Sequence, residues 1–264
     1  LVLLPAGAAL PSGCGRVAGT DRFQLALVPE SQMVALSDQT WQEITASERP
    51  LTSGPEVAMV QRLGKRLQAQ APSGSRAFAF TVLDSDQVNA FALPNGQVAI
   101  YRGLLPYCRN EAALGTVIGH EIGHIVAKHG YERMTQQLAT GAILQLAAAG
   151  IGSTEADPAT QQVALAALGA GAQFGVLLPF SRKHEYEADR LGVTYLAKAG
   201  YEPGEAVRFW QRFAAGGGGK APEFFSTHPS DANRIATLQE AMGSYQAAYQ
   251  RAGQRYGLGD PIAS

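Results

Sequence analysis

Residues 115–130 read GTVIGHEIGHIVAKHG and carry three of the chain's five histidines together with one glutamate. Within them, His120-Glu121-Ile122-Gly123-His124 sets two imidazoles four residues apart. On an α-helix the pair lies about 40° apart on one face and roughly 6 Å from each other, close enough to bind one metal ion. Glu121, one step round the helix, reaches a water on the same ion and can act there as general base. Val117, Ile118, Ile122 and Ile125 flank the motif, so the helix is expected to be buried, with its ligands fixed at low dielectric. A shuffled chain of this composition would hold such a pattern roughly 0.005 times, which argues against accident.

A catalytic zinc site takes three protein ligands and keeps one position open. The extended pattern HExxHxxGxxH would supply a third histidine, but Ala127 and Gly130 stand where it needs glycine and histidine. His129 falls one residue early, about 140° round a continuous helix from His124. It reads as a surface or structural residue and not as a ligand. The other source is SRKHEYEAD, residues 181–189. There Glu185 and Asp189 share a helical face, whereas Glu187 points about 200° away from Glu185. One carboxylate can then bind the metal while the other receives the N–H of a ligand histidine. Glu185 is the expected third ligand and Asp189 the residue that orients.

The elements that must hold these groups are mostly helical. ESQMVALSDQTWQEITAS, from residue 30, has an amphipathic pattern. In SGPEVAMVQRLGKRLQAQ, Ser53 and Pro55 are start signals and Val57, Val60, Leu63 and Leu67 fall at helical spacing. Alternation at Phe78, Phe80 and Val82, then VNAFAL and QVAIY around Pro94-Asn95-Gly96, predicts a small antiparallel sheet of about three strands. Asn110 is placed to cap the histidine-bearing helix, with Glu111 in its first turn. The helix holding Glu185 should end at Gly200, another should start at Pro203, and Asp231 should cap the last. Between them lies a GGGG loop at 216–219. Residues 140–180 are nearly free of charge, but glutamines interrupt them, so covered helices near the site are expected in preference to membrane spans.

The chain has 264 residues, 46% hydrophobic content and a net charge of −1, which is enough for a sizeable core and gives no electrostatic reason to bind nucleic acid. Cys14 and Cys108 form no disulfide framework, and Cys108 reads as a small buried hydrophobe. LVLLPAGAALPSGCG at the start resembles the end of a secretory signal with a lipobox-like cysteine, although Pro11 stands where that signal usually has leucine. The organisation expected is a signal remnant over 1–14, an extended leader over 15–28, a catalytic domain over 29–250 and a flexible tail over 251–264.

HEIGH, SRKHEYEAD and THPSDANRI together resemble the M48 zinc metallopeptidases, the group of the CAAX prenyl endopeptidases and the HtpX-type membrane peptidases. Within it the chain is most similar to exported, single-domain bacterial members, several of which are lipoproteins. The resemblance implies an α+β, mainly helical, gluzincin-like fold with a small antiparallel sheet beside the HExxH helix. It implies one zinc per chain on His120, His124 and Glu185, with Glu121 as base and Asp189 behind the ligands. It places His228 near the metal, where it either stabilises the tetrahedral intermediate or occupies the fourth zinc position at rest. Arg234 fits as a structural ion-pair partner. Asn89, Ala90 and Phe91 resemble the strand that binds substrate backbone in zincins.

The activity implied is a zinc metalloendopeptidase of the bacterial periplasm, acting on unfolded or damaged envelope proteins, with a lipid anchor at Cys14. Two rivals remain at this point. One is an envelope chaperone or assembly factor that keeps the zinc site but cleaves little. The other is an integral-membrane peptidase spanning with residues 140–180.

Overall fold

A computed structural model describes residues 14–16, 23–25, 28–72, 77–136, 181–215, 223–228 and 232–262. The GGGG loop, residues 140–180, Asp231 and the signal remnant before Cys14 lie outside the described residues, and Cys14 is described only by its backbone. The described chain starts with a short antiparallel pair, β1 (Cys14–Arg16) and β2 (Phe23–Leu25). Helices α1 (Glu30–Ser47) and α2 (Pro55–Gln68) follow. Pro55 opens α2 at a position where a missing N–H costs nothing. Its stripe of Val57, Val60, Leu63 and Leu67 is buried, as the spacing predicts.

Strands β3 (Ala79–Leu83), β4 (Ala90–Ala92) and β5 (Gln97–Tyr101) form the second sheet. β4 and β5 make the expected hairpin, in which Gly96 has φ 96° and Asn95 Oδ1 accepts from the Gln97 N–H at 3.1 Å. The sheet is mixed and not wholly antiparallel, because β3 pairs with β5 in parallel and the order is β3-β5-β4. Residues 84–89 reverse the chain but leave a gap one strand wide, which β5 fills. Val98, Ala99 and Ile100 are fully buried, and a strand apolar on both faces belongs in the centre. β4 is thereby left at an edge. At the other edge, Leu51 N–H donates to Val82 O at 2.8 Å.

After a 3-10 turn and the short α3 (Leu105–Cys108) comes α4 (Glu111–Val126), buried everywhere except Ile125. Asn110 Oδ1 caps it, accepting from the Ala113 N–H at 2.9 Å. The residues expected as a flexible tail help to close the same helix end. Glu111 and Ala112 donate their N–H groups to the carbonyls of Asp260 and Leu258, each at 3.0 Å, and Ile262 N–H donates to Arg109 O. Three first-turn donors that a helix cannot satisfy internally are thus bonded, two of them by chain 140 or more residues away in sequence.

Helix α5 (Arg182–Lys198) packs along α4, its start capped by Ser181. The two helices touch through glycine: a Cβ on Gly192 would lie 2.6 Å from the Gly119 carbonyl carbon, and one on Gly123 2.7 Å from Ala188 O. That closeness brings side chains of both helices into one buried space. α5 ends at Lys198, and Gly200, the stop signal in the sequence, follows two residues later with φ 88°. Helices α6 (Gly204–Ala215), α7 (Phe224–Thr227), α8 (Ala232–Glu240) and α9 (Met242–Gln250) complete the described chain. Cys108 is a free, buried thiol, and burial pushes its pKa up. Among the described residues, no helix is long and apolar enough to cross a membrane.

Candidate metal centre

Helix α4 presents His120 and His124 one turn apart and almost wholly buried, with their Nε2 atoms 3.0 Å apart. From α5, Glu185 is fully buried between them, Oε2 at 3.3 Å from His120 Nε2 and Oε1 at 3.3 Å from His124 Nε2. His228, just after α7, brings Nδ1 to 3.2 Å from both His120 Nε2 and Glu185 Oε1. One ligand atom from each of these four residues lies within 4.8 Å of the other three. Nitrogen and oxygen lone pairs converging at this range repel unless a cation or a proton lies between them. Three imidazoles and a carboxylate make a donor set suited to a borderline transition metal. The residues therefore fit a metal ion.

The groups behind the ligands explain their aim. Asp189 Oδ1 lies 2.8 Å from His120 Nδ1, so it accepts that N–H and turns the Nε2 lone pair into the cluster. Arg234 forks onto Asp189, Nε to Oδ2 at 2.7 Å and Nη2 to Oδ1 at 2.8 Å, while its Nη1 lies 2.8 Å from Glu185 Oε2. It is the ion-pair partner expected, and it braces two carboxylates at once. The helical phase places Glu185 and Asp189 together, and Glu187 elsewhere: its Oε2 lies 2.9 Å from His129 Nε2.

Electrostatics in this space are set by burial and by a few charges. Burial opposes charge on His120, but Glu185 and Asp189 outweigh it and push its pKa up to about 9 in the metal-free chain. Burial holds His124 well below the usual imidazole range. Glu185 sits well below the usual carboxyl range despite its burial, because His228 and His120 favour its charged form. Glu121 differs. It is wholly buried, burial raises its pKa, and among the described residues neither of its oxygens has a hydrogen-bond partner. His228 Nε2 is 3.4 Å from Glu121 Oε1.

Two features depart from what the sequence suggested. His129 is fully buried and not at the surface, with Nδ1 2.9 Å from His124 Nδ1. The angle of about 140° assumed a continuous helix, but α4 stops at Val126 and Lys128 takes φ 54°, which folds His129 back over His124. Local spacing carries no signal for that turn. Ala90 and Phe91 lie in the edge strand β4, with Asn89 just before it, beside α4. Phe91, however, turns into a cluster with Trp41 and Tyr101, so its side chain belongs to the core, and its register opposite Ala99 turns its backbone groups toward β5. A cavity between β4 and α4 is lined by Ala92, Leu93, His124, Ile125, Tyr131 and Arg133 among others, and so opens onto a ligand histidine.

Comparison with known proteins agrees with this geometry. The model of peptidase family M48 matches residues 56–242. The chain is 37% identical over 188 residues to the mitochondrial metalloendopeptidase OMA1 of Schizosaccharomyces pombe, covering 70% of this chain and 53% of that protein. It is 33% identical over 238 residues to the beta-barrel assembly-enhancing protease of Yersinia pestis, covering 89% and 47%. To the protein of the same name in Escherichia coli it is 31% identical over 191 residues, covering 71% and 39%. The chain thus spans about half the length of these relatives or less. A family match over most of the sequence, enclosing HEIGH, Glu185, Asp189 and His228, leads to one assignment: this chain belongs to peptidase family M48.

Proposed function

We propose that the chain is a zinc metalloendopeptidase that cleaves unfolded or damaged proteins of the bacterial envelope. The observation that carries this reading is Glu121, a buried carboxyl group with neither oxygen hydrogen-bonded among the described residues, beside four converging candidate ligand atoms. Burying such a group without a partner is costly, and sites of reaction are where that cost is found. Zinc held by His120, His124 and Glu185 would supply a Lewis acid that polarises the scissile carbonyl and lowers the pKa of water.

Glu121 takes the proton of the attacking water and hands it to the leaving amine. His228 Nε2 faces the same space and donates to the oxyanion as it forms, while its Nδ1, among the converging atoms, would help to hold the ion when no substrate is bound. Asn89, Ala90 and Phe91 make up the substrate-binding segment in this reading: β4 is an edge strand, and Ala90 turns its backbone groups away from β5, where an extended peptide can add as a further strand. Asp189 and Arg234 keep the ligands aimed. The name of the Yersinia pestis and Escherichia coli relatives supports an envelope setting.

A chaperone or assembly factor with the same site but little proteolysis is the competing reading. Casein digestion separates the two. The purified chain should cleave casein, lose that activity in 1,10-phenanthroline and regain it with about one equivalent of zinc. A zinc-loaded chain that leaves casein intact would favour the assembly factor. Export and a lipid anchor at Cys14 belong to the same proposal. The intact mass of the chain from bacterial membranes should show Cys14 as an acylated first residue, and an unmodified Cys14 in exported protein would remove the anchor.

A further inference from the structure

We propose that His129 and Glu187 are a positioning pair for His124, doing for this imidazole what Asp189 does for His120. The inference rests on the zinc reading above. A carboxylate only accepts, so Glu187 Oε2, 2.9 Å from His129 Nε2, takes an N–H from that nitrogen. The other nitrogen of a neutral His129 is then an acceptor. It lies 2.9 Å from His124 Nδ1, which must therefore carry the proton and donate. With Nδ1 protonated, the lone pair of His124 is on Nε2, the atom that faces Glu185 Oε1 and His120 Nε2. The tautomer of one ligand is thus set by a chain of two hydrogen bonds ending in a carboxylate.

The pair is itself held in place. His129 is fully buried, and the ring of His184 stacks on it at 4.3 Å and 24°. Lys128, with φ 54°, makes the turn that returns His129 to His124. Glu187 arrives from α5, two residues after the ligand Glu185, so its opposite helical phase has a use. The two ligand histidines are then supported from the same helix α5, His120 by Asp189 directly and His124 by Glu187 through His129.

The test is zinc affinity, measured on the full chain by competition with a chromophoric chelator, with circular dichroism of the metal-free protein as the control for folding. His129→Phe keeps a planar ring but no nitrogen, and Glu187→Ala removes the terminal acceptor. Each should weaken zinc binding about 10–100-fold, the usual cost of losing a group that orients a ligand. Glu187→Gln keeps an oxygen that can accept from His129 and should stay close to the parental affinity, whereas Glu187→Met, which keeps the bulk but no such acceptor, should lose affinity as Glu187→Ala does, a split that mere packing would not produce. Glu185→Ala, which removes a ligand, should lose more than any of these. Parental affinity in folded His129→Phe and Glu187→Ala would overturn the inference, as would equal losses in Glu187→Gln and Glu187→Ala. If His129→Phe does not fold, the Glu187 variants decide. A parental chain that binds no zinc at all would instead sink the zinc reading itself, and this pair with it.

Discussion

Glu121→Gln is expected to keep zinc and to lose nearly all casein hydrolysis. The four ligand atoms come from His120, His124, Glu185 and His228, so exchanging Glu121 removes none of them. Glutamine has almost the same shape, but its amide oxygen is far too weak a base to take a proton from water at neutral pH. Loss of general acid–base help alone costs about 10²–10⁴ in rate. Here the same group is asked to serve at both ends of the reaction, so the loss should lie at the upper end of that range.

Stability supplies an independent signature. Glu121 is buried with no hydrogen bond to either oxygen among the described residues, and the amide removes the cost of burying its charge. The variant should therefore melt no lower than the parental protein in the metal-free state. Rates on casein, metal content of the purified variant and its melting temperature are the three readings. Cleavage near the parental rate would remove Glu121 from the mechanism.

The parts of the fold and site that could be read in the sequence are those governed by local period. The α2 stripe is buried as spaced, and the helical phase of residues 181–189 separates Glu185 and Asp189 from Glu187. His120, Glu121 and His124 need only one helix to come together. What escaped depends on contacts between distant segments. Alternation of residues marks a strand but not the direction of its neighbour, which is why the parallel pairing of β3 with β5 was not foreseen. The acceptors that Leu258 and Asp260 lend to α4 are backbone carbonyls, and these look alike in every residue type. His129 is a buried structural residue, and its place over His124 is hidden from helical spacing because a single left-handed residue, Lys128, ends the helix on which the angle depends. Lysine gives no warning of such a turn, where glycine would have.

His228→Ala should lower kcat about 10²–10³-fold on an unfolded substrate, the usual cost of losing a transition-state donor. Two effects oppose each other here. Nδ1 of His228 sits among the candidate ligand atoms, 3.2 Å from Glu185 Oε1, so in the proposed mechanism its removal would free a position for substrate and water. Relief of that block would raise activity. Yet Nε2 points toward Glu121, 3.4 Å from Oε1, which places a donor beside the proposed base.

Packing favours the second effect. The His228 ring lies 4.3 Å from that of Phe224, tilted by only 20°, and the backbone N–H of His228 donates to Phe224 O at 2.8 Å, while Phe224 is itself fully buried. A ring fixed at both backbone and face suits a preorganised donor better than a gate that must swing away. Blocking by a ligand that substrate can displace also acts mainly on KM, whereas loss of an oxyanion donor acts on kcat. Separate determination of the two constants with a quenched fluorescent peptide reads the balance directly. A kcat at or above the parental value would make His228 a gate first and a donor second.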